Sequence, residues 1–587
     1  MKFHPPHIFY AKSAPSGKDS IRIIPLGGIG NVTKNMYVYE YCYDGKVRDI
    51  LLVDCGVGFP EPEMYGVDLV IPDVRYLEAK RDKIRGLVFT HGHDDHIGGI
   101  PYIYPKLARL PSPGGEATGG QGNIPMWGTA LTAAFANIKL REAKIKTLVA
   151  PVGFDRILHI GPFTVSFVHV THSVPDAANL IIETPVGIFY HGSDFKFDMT
   201  PLDGKKSELE KITAVGKRGV LCLLTDSLGS ERPGFTPSEQ IIGETLEKEL
   251  SHATGAVLFT TQSSNISRIQ LAIELARKFD RQIAFFGRSI DQNVEASVKL
   301  GFMNVPRESI IRDRDLGRIP RIKQFLIVAG SQGQSGSALS RIANDDHRFV
   351  HIQEGDTVVF SADPIPGNEH NVANLIDQLY RKGARVSYSD IMEDLHVSGH
   401  GSQGDLMLML SAVGPTYILP IGGTYRHMMQ YRRLAQDLGY NKEDIFIPEE
   451  GEVLEFRAGA RPRIVETINL ENIMIDGLGV GDVKNVVLRD RQTIATEGIV
   501  VIVVPVARST GKVTSEPDII SRGFVYMKES GVLLDQAKRI VNQSLRLKKG
   551  RILDWQFVRR HVEENVSKFL RNKTGRTPLI VPVIVEV

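Results

Sequence analysis

Thr90-His91-Gly92-His93-Asp94-Asp95-His96 packs three imidazoles and two carboxylates into six residues, directly after the short apolar run Gly86-Leu87-Val88-Phe89. A run that short and β-prone reads as a buried strand, which places the cluster on the loop leaving a strand end. Imidazole and carboxylate are the ligands that zinc and similar divalent cations take. His91 and His93, two residues apart, can face one ion, while Asp95 and His96 on the next bend can serve a second. The plain alternative is a surface cluster without function. The strand-end position and the following Gly98-Gly99 argue against it. Two further candidates sit just past predicted strands: His172 after Val165–Val170, and Asp194 after Gly187–Tyr190. Asp54, on a Gly-rich turn, is expected to hydrogen-bond neighbours rather than to ligate.

These residues need a scaffold, and the chain is long enough to supply one. Its 587 residues correspond to about three to four domains at ~150 residues each. With 42% hydrophobic and 24% charged residues and a net charge of +2, it reads as globular, and any polyanion must meet local basic patches. Three scattered cysteines (Cys42, Cys55, Cys222) suggest no disulfide framework, so a reducing, cytoplasmic setting is expected. The most apolar run, Gly498 to Val504, is too short for a membrane span, and Met1 to Ser20 lacks a signal-like apolar core.

Strands are expected at Ile21–Pro25, Asn35–Tyr41 and Asp49–Val53, with Gly27-Gly28-Ile29-Gly30 as a tight turn near the ion site. Pro111 to Pro125 reads as an exposed excursion. From Val220 on, short strands (Val220–Leu224, Ala256–Thr260, Gln282–Phe286, Phe325–Ala329, Thr357–Ser361) alternate with helical patterns such as Ser267–Lys278, the signature of a parallel α/β module. Arg457–Arg463, with Gly459 and Pro462, reads as a linker. Beyond it, two helices rich in Lys and Arg lie between strands at Gly498–Val506 and Leu579–Val587, a pattern that fits RNA contact or subunit packing equally.

Several motifs together resemble a known family. Thr90 to Gly99, Thr171-His172-Ser173-Val174-Pro175-Asp176 and Gly192-Ser193-Asp194-Phe195-Lys196 look like successive metal motifs of the metallo-β-lactamase superfamily. Pro233 to Glu239, Ala362 to Glu369 and His396-Val397-Ser398-Gly399-His400 are similar to ribonuclease J, in the β-CASP branch, as are Asp476 to Val483 and Pro517 to Tyr526. The resemblance implies an α/β protein: an αββα sandwich (1–216 and 404–456) interrupted by a parallel β-CASP domain (217–403), a linker (457–465) and a C-terminal α/β domain (466–587). It implies His91, His93 and His172 on one zinc, Asp95 and His96 on another, and Asp194 between them. It further implies Asp226 with His400 as an acid–base pair, His400 giving a proton and Asp95 orienting water, and a 5′-phosphate pocket at Ser264, His396 and Ser398. The implied activity is 5′-to-3′ exonucleolytic or internal cleavage of single-stranded RNA, by a homo-oligomer (dimer or tetramer) or by a hetero-oligomer with a paralogue. One departure matters. The family usually carries Pro-Val-His-Gly-Glu-Tyr-Arg where this chain reads Pro420-Ile421-Gly422-Gly423-Thr424-Tyr425-Arg426. Gly422 has no donor, so the second ion is expected to bind loosely, with Mn2+ or Mg2+ as alternatives to zinc. A degenerate RNA-binding scaffold is the competing expectation.

Overall fold

The computed structural model describes residues 17–108, 123–365, 368–477, 479–481, 485–508, 512–524, 531–546 and 555–587. Most of the expected excursion at 111–125, and the basic residues Lys548, Lys549 and Arg551, lie outside these. Two compact units emerge: the chain to Phe59 with Val70–Ile473, and Pro60–Leu69 with Met474–Val587.

In the larger unit two sheets face each other. The first runs, in spatial order, Arg463–Thr467, Glu452–Arg457, Asp19–Gly27, Met36–Tyr43, Lys46–Val53, Ile84–Val88, Met126–Gly128 and Ala150–Pro151. The second runs Tyr417–Ile421, Val220–Asp226, Ile188–Gly192, Ala178–Glu183, Phe163–His169 and Ile157–Ile160. Strand alternation sends Ile21, Tyr37, Leu51 and Val88 from one sheet, and Phe167, Leu180, Phe189 and Leu419 from the other, into one core. The outer face of the second sheet packs Tyr190 and Leu223 against the helices Leu209–Lys217, Gln403–Val413 and Tyr425–Asp437.

Parallel pairing decides where the chemistry sits. Val53 pairs with Val88, so Lys46–Val53 and Ile84–Val88 end together, delivering Asp54 beside Thr90. Gly192 pairs with Thr225 and Asp226 with Ile421, so three further strands deliver Asp194, Asp226 and Gly422 to one edge. Carboxyl ends of parallel strands collect functional loops for this reason.

A third sheet is wholly parallel, ordered Gln282–Phe286, Gln324–Val328, Val257–Thr260, Thr357–Phe360 and Arg385–Ser387. Its strands are continuous apolar runs because helices such as Glu369–Arg381 and Ala338–Ala343 cover it. Val220–Asp226, grouped with these strands from its sequence, instead joins the second sheet of the sandwich. An apolar run states that a strand is buried but not which sheet buries it. The linker expected at 457–465 also differs. Arg463–Thr467 pairs antiparallel with Glu452–Arg457, and Ile468 N–H donates to Gly451 O at 2.8 Å, so Gly459 and Pro462 mark a connection between paired strands. Turn chemistry is the same in both settings.

In the smaller unit Ile499–Val506 pairs antiparallel with Asp518–Arg522 and parallel with Leu579–Glu586. The amphipathic helices Gly531–Arg546 and Trp555–Thr574 contribute Leu534, Val541, Val562 and Leu570 to its core. Among the described residues no helix is long and apolar enough to cross a membrane.

Candidate metal centre

His91, His93, His172 and Asp194 converge, each offering one donor atom within 4.8 Å of the others, and Asp95, His96 and Asp194 form a second such group. In the first, His91 Nε2 and His172 Nε2 each lie 3.1 Å from His93 Nδ1. Donors about 2.0–2.1 Å from a tetrahedral zinc stand roughly 3.3–3.4 Å apart, so the spacing fits such an ion. The chemistry of the donors fits as well. Burial pushes His91 and His172 well below the ordinary histidine range and His93 to about 4, leaving neutral rings with free lone pairs at neutral pH. Each ring's other nitrogen is held: His91 Nδ1 by Thr90 Oγ1 at 3.1 Å, His93 Nε2 by Ser173 Oγ at 3.0 Å, and His172 Nδ1 by the Gly399 carbonyl at 2.6 Å. Such partners fix which nitrogen faces an ion.

The second group is built on His96, whose Nδ1 donates to Asp54 Oδ2 at 2.8 Å. Its Nε2 faces Asp194 Oδ2 at 3.4 Å and Asp95 Oδ2 at 3.6 Å. Asp54 also accepts Thr90 N–H and Oγ1–H, each at 2.8 Å, which is the supporting place expected for it. Burial would lower His96, yet Asp194, Asp95 and Asp54 hold it well above the usual histidine range. Burial and the neighbouring Asp194 raise Asp95 to about 6 although His96 opposes them. Asp194 itself is held well below the usual carboxylate range by His96 and His400 against its burial. Three carboxylates around one imidazole leave a surplus of negative charge that a cation would relieve. Asp194 Oδ2, at 3.6 Å from His91 Nε2 and 3.9 Å from His172 Nε2, is common to both groups.

A third cluster adjoins them. His400 Nδ1 donates to Asp226 Oδ2 at 2.7 Å, and His400 Nε2 lies 3.9 Å from Asp194 Oδ2. Burial opposes the charged imidazole, but Asp226 and Asp194 raise it to about 9; burial keeps Asp226 above its usual value even so.

Gly422 stands at the edge of this assembly. Its φ is +63°, its N–H donates to Gly28 O at 2.8 Å, and a Cβ built on it would point into space 3.8 Å from Asp194 Oδ1 and from Asp226 Oδ1. The Gly27–Gly30 bend is therefore a turn beside the ion site. His427 does not replace the missing donor: it caps the helix Tyr425–Asp437, its Nδ1 accepting Thr424 N–H at 3.2 Å.

Of the expected phosphate-pocket residues, His396 Nδ1 pairs with Asp363 Oδ2 at 2.8 Å, and Ser398 Oγ accepts His400 N–H at 3.1 Å. Ser264 is half-buried just before the helix Ile266–Lys278. Sequence reasoning passed over Arg268 and Glu239, a fully buried ion pair behind this loop. An arginine on the same helical face as Ala272 and Ala276 was the available signal.

The chain is similar to known proteins over nearly its whole length. Profiles for the metallo-beta-lactamase superfamily, the ribonuclease J beta-CASP domain, the Zn-dependent metallo-hydrolase RNA specificity domain and the ribonuclease J C-terminal domain match residues 30–107, 254–379, 389–448 and 486–587. Ribonuclease J2 of Bacillus subtilis is 37% identical over 97% of this chain and 99% of its own. Ribonuclease J 1 of Streptococcus pyogenes is 37% identical over 96% and 98%, and ribonuclease J 2 of Staphylococcus aureus 33% over 97% and 98%.

Proposed function

This chain belongs to the ribonuclease J family, and we propose that it is a zinc-dependent ribonuclease that hydrolyses single-stranded RNA from a 5′-monophosphate end. The observation that carries the reading is the pair of donor groups sharing Asp194, with His400 of the adjoining loop facing the same carboxylate. His91, His93 and His172 would hold the first ion and Asp95 and His96 the second, with Asp194 serving both. A divalent cation bound there supplies Lewis acidity and lowers the pKa of water from about 15.7 to about 7. Around it the protein's own groups divide the work. Asp95 accepts a hydrogen bond from the attacking water and orients it. His400, protonated on both ring nitrogens at neutral pH and held by Asp226 at Nδ1, offers its Nε2 proton to the departing oxygen. Ser264, His396 and Ser398 receive the 5′-phosphate.

The donor set argues against a scaffold role, since RNA binding alone gives no reason to orient three imidazoles by their far nitrogens. Gly422 does weaken the second position, and we take that ion to be the more readily lost. Buried free thiols at Cys42, Cys55 and Cys222 are in keeping with a cytoplasmic setting. The basic helices of the C-terminal unit would contact RNA or a second subunit.

End-labelled RNA carrying one or three 5′ phosphates, followed over time with zinc or manganese, tests the reading. Mononucleotide release from the monophosphate alone is expected. Equal residual activity in the wild type and an Asp95→Ala, His96→Ala double variant would contradict it.

A further inference from the structure

The segment His396–Gly401 runs from the phosphate-pocket residues to the metal centre, and groups outside it hold His396, Val397, Gly399, His400 and Gly401. His396 is held by Asp363, Gly399 O by His172, and His400 by Asp226 through its ring and by Thr236 Oγ1, which donates to its carbonyl at 2.8 Å. Gly401 N–H donates to Phe195 O at 2.6 Å, one residue from Asp194. The fit allows no side chain at 399, where a Cβ would stand 2.7 Å from His172 Cε1. His396 and His400 are only four residues apart, and whatever fixes this backbone fixes the distance between the two functions.

Arg268 is the buried group that grips its middle. Only 2% exposed, its guanidinium makes a forked contact to Glu239 (Nε to Oε2 3.1 Å; Nη2 to Oε1 and Oε2, both 2.8 Å). The remaining donors reach two backbone carbonyls from separate segments: Nη1 to Ser361 O at 2.8 Å and Nη2 to Val397 O at 3.0 Å. Glu239 continues the chain toward the metal centre by accepting Lys196 Nζ at 3.3 Å, two residues past Asp194, and its N–H donates to Asp198 Oδ2 at 3.1 Å. At the other end Asn265, next to Ser264, caps the same helix, its Oδ1 accepting Arg268 N–H at 3.2 Å. A planar fork with five donors can register two carbonyls and a carboxylate at once, which a lysine cannot.

We propose that Arg268 is a positioning residue for end-dependent cleavage: by holding the Val397 carbonyl against Ser361 and Glu239, it sets the span between the 5′-phosphate pocket and the His172–His400 face of the metal centre. This rests on the functional reading above, and deepens it. Burying an ion pair is a poor way to gain stability, because desolvation offsets the attraction. Its use here is to fix the register of the loop.

The test compares wild type with two variants of the full chain. Arg268→Lys keeps a positive charge against Glu239 but lacks the fork. Arg268→Met with Glu239→Gln removes both charges, leaves no unpaired carboxylate at 239, and guards against simple unfolding. Matched RNAs with a 5′-monophosphate or a 5′-hydroxyl are degraded, and zinc content is measured on each protein. Both variants are expected to retain the wild-type zinc content and kcat on the hydroxyl RNA. Their KM for the monophosphate RNA should rise about tenfold, the scale of one lost buried hydrogen bond. Equal losses on both RNAs, or no change on either, would overturn the proposal. Hydrogen exchange supplies a readout independent of cleavage: protection at Gly399, His400 and Gly401 should fall selectively in both variants. Unchanged protection there overturns the proposal even if the wild type cleaves RNA as expected. A wild type without end preference, but with the selective loss of protection, would instead defeat the functional reading and leave Arg268 as the anchor of the loop.

Discussion

The two halves of the metal centre are built differently. Around the first position three neutral imidazoles converge, each with its far nitrogen held by a hydroxyl or a carbonyl. Around the second, one imidazole and carboxylates carry the charge, and the turn that passes closest contributes Gly422, which has no donor. The shared Asp194 makes the halves one unit, so a weakness in the second is felt by both. Ligand number and outer partners, rather than the fold that carries both halves, set how firmly each ion is held.

Removing the shared carboxylate should have the largest effect. Asp194→Ala is expected to cost both ions and to lower RNA cleavage by roughly a thousandfold or more, because the metal's electrostatic stabilisation goes with them. Metal analysis alongside the cleavage assay checks it, and retention of the first ion would show the halves to be independent.

Asp54→Asn comes next. Asparagine tolerates the left-handed backbone at this position, where φ is 60°. It weakens only the His96 Nδ1 contact and the bonds to Thr90. Second-site affinity should drop about 10- to 100-fold, the usual cost of losing an outer carboxylate partner. A titration in which the first site is already filled reads this directly.

Gly422→His would even out the halves. The built Cβ meets nothing closer than 3.8 Å, and a donor there points toward Asp194 and Asp226. We expect second-site affinity to rise about tenfold. The non-glycine residue at positive φ should lower stability by about 1–2 kcal/mol, readable as a fall in Tm. A rise in first-site affinity instead would contradict the assignment of Gly422 to the second position.

Acid should separate the halves most gently. Without an ion Asp95 is raised to about 6 and His93 lowered to about 4, so as pH falls protons compete with the ion for Asp95 before they compete for His93. On stepwise acidification the second ion should leave first. Simultaneous release of both would oppose the comparison.

Much of this was legible in the sequence, for reasons that differ from element to element. The proposed ligands His91, His93, Asp95 and His96 fall within six residues, so local spacing brings them forward, and His172 and Asp194 stand out as chemistry-bearing residues just past strand ends. The family resemblance supplied the pairing of Asp226 with His400, which lie 174 residues apart and meet only because Val220–Asp226 joins the second sheet of the sandwich. That placement was misread, because an apolar run does not name its neighbours. The connection at Arg457–Arg463 was misread too, since glycine and proline punctuate linkers and hairpins alike. Arg268 and Glu239 were missed because charged residues in a sequence read as solvated until tertiary packing buries them.

The central claim is that one chain holds two ions unequally around a shared Asp194. Calorimetric titration of zinc into the metal-free protein measures this directly. Two steps are predicted, a tight first equivalent and a distinctly weaker second, with Gly422→His narrowing the gap. A single step taking up two equally tight ions in the wild type would contradict it.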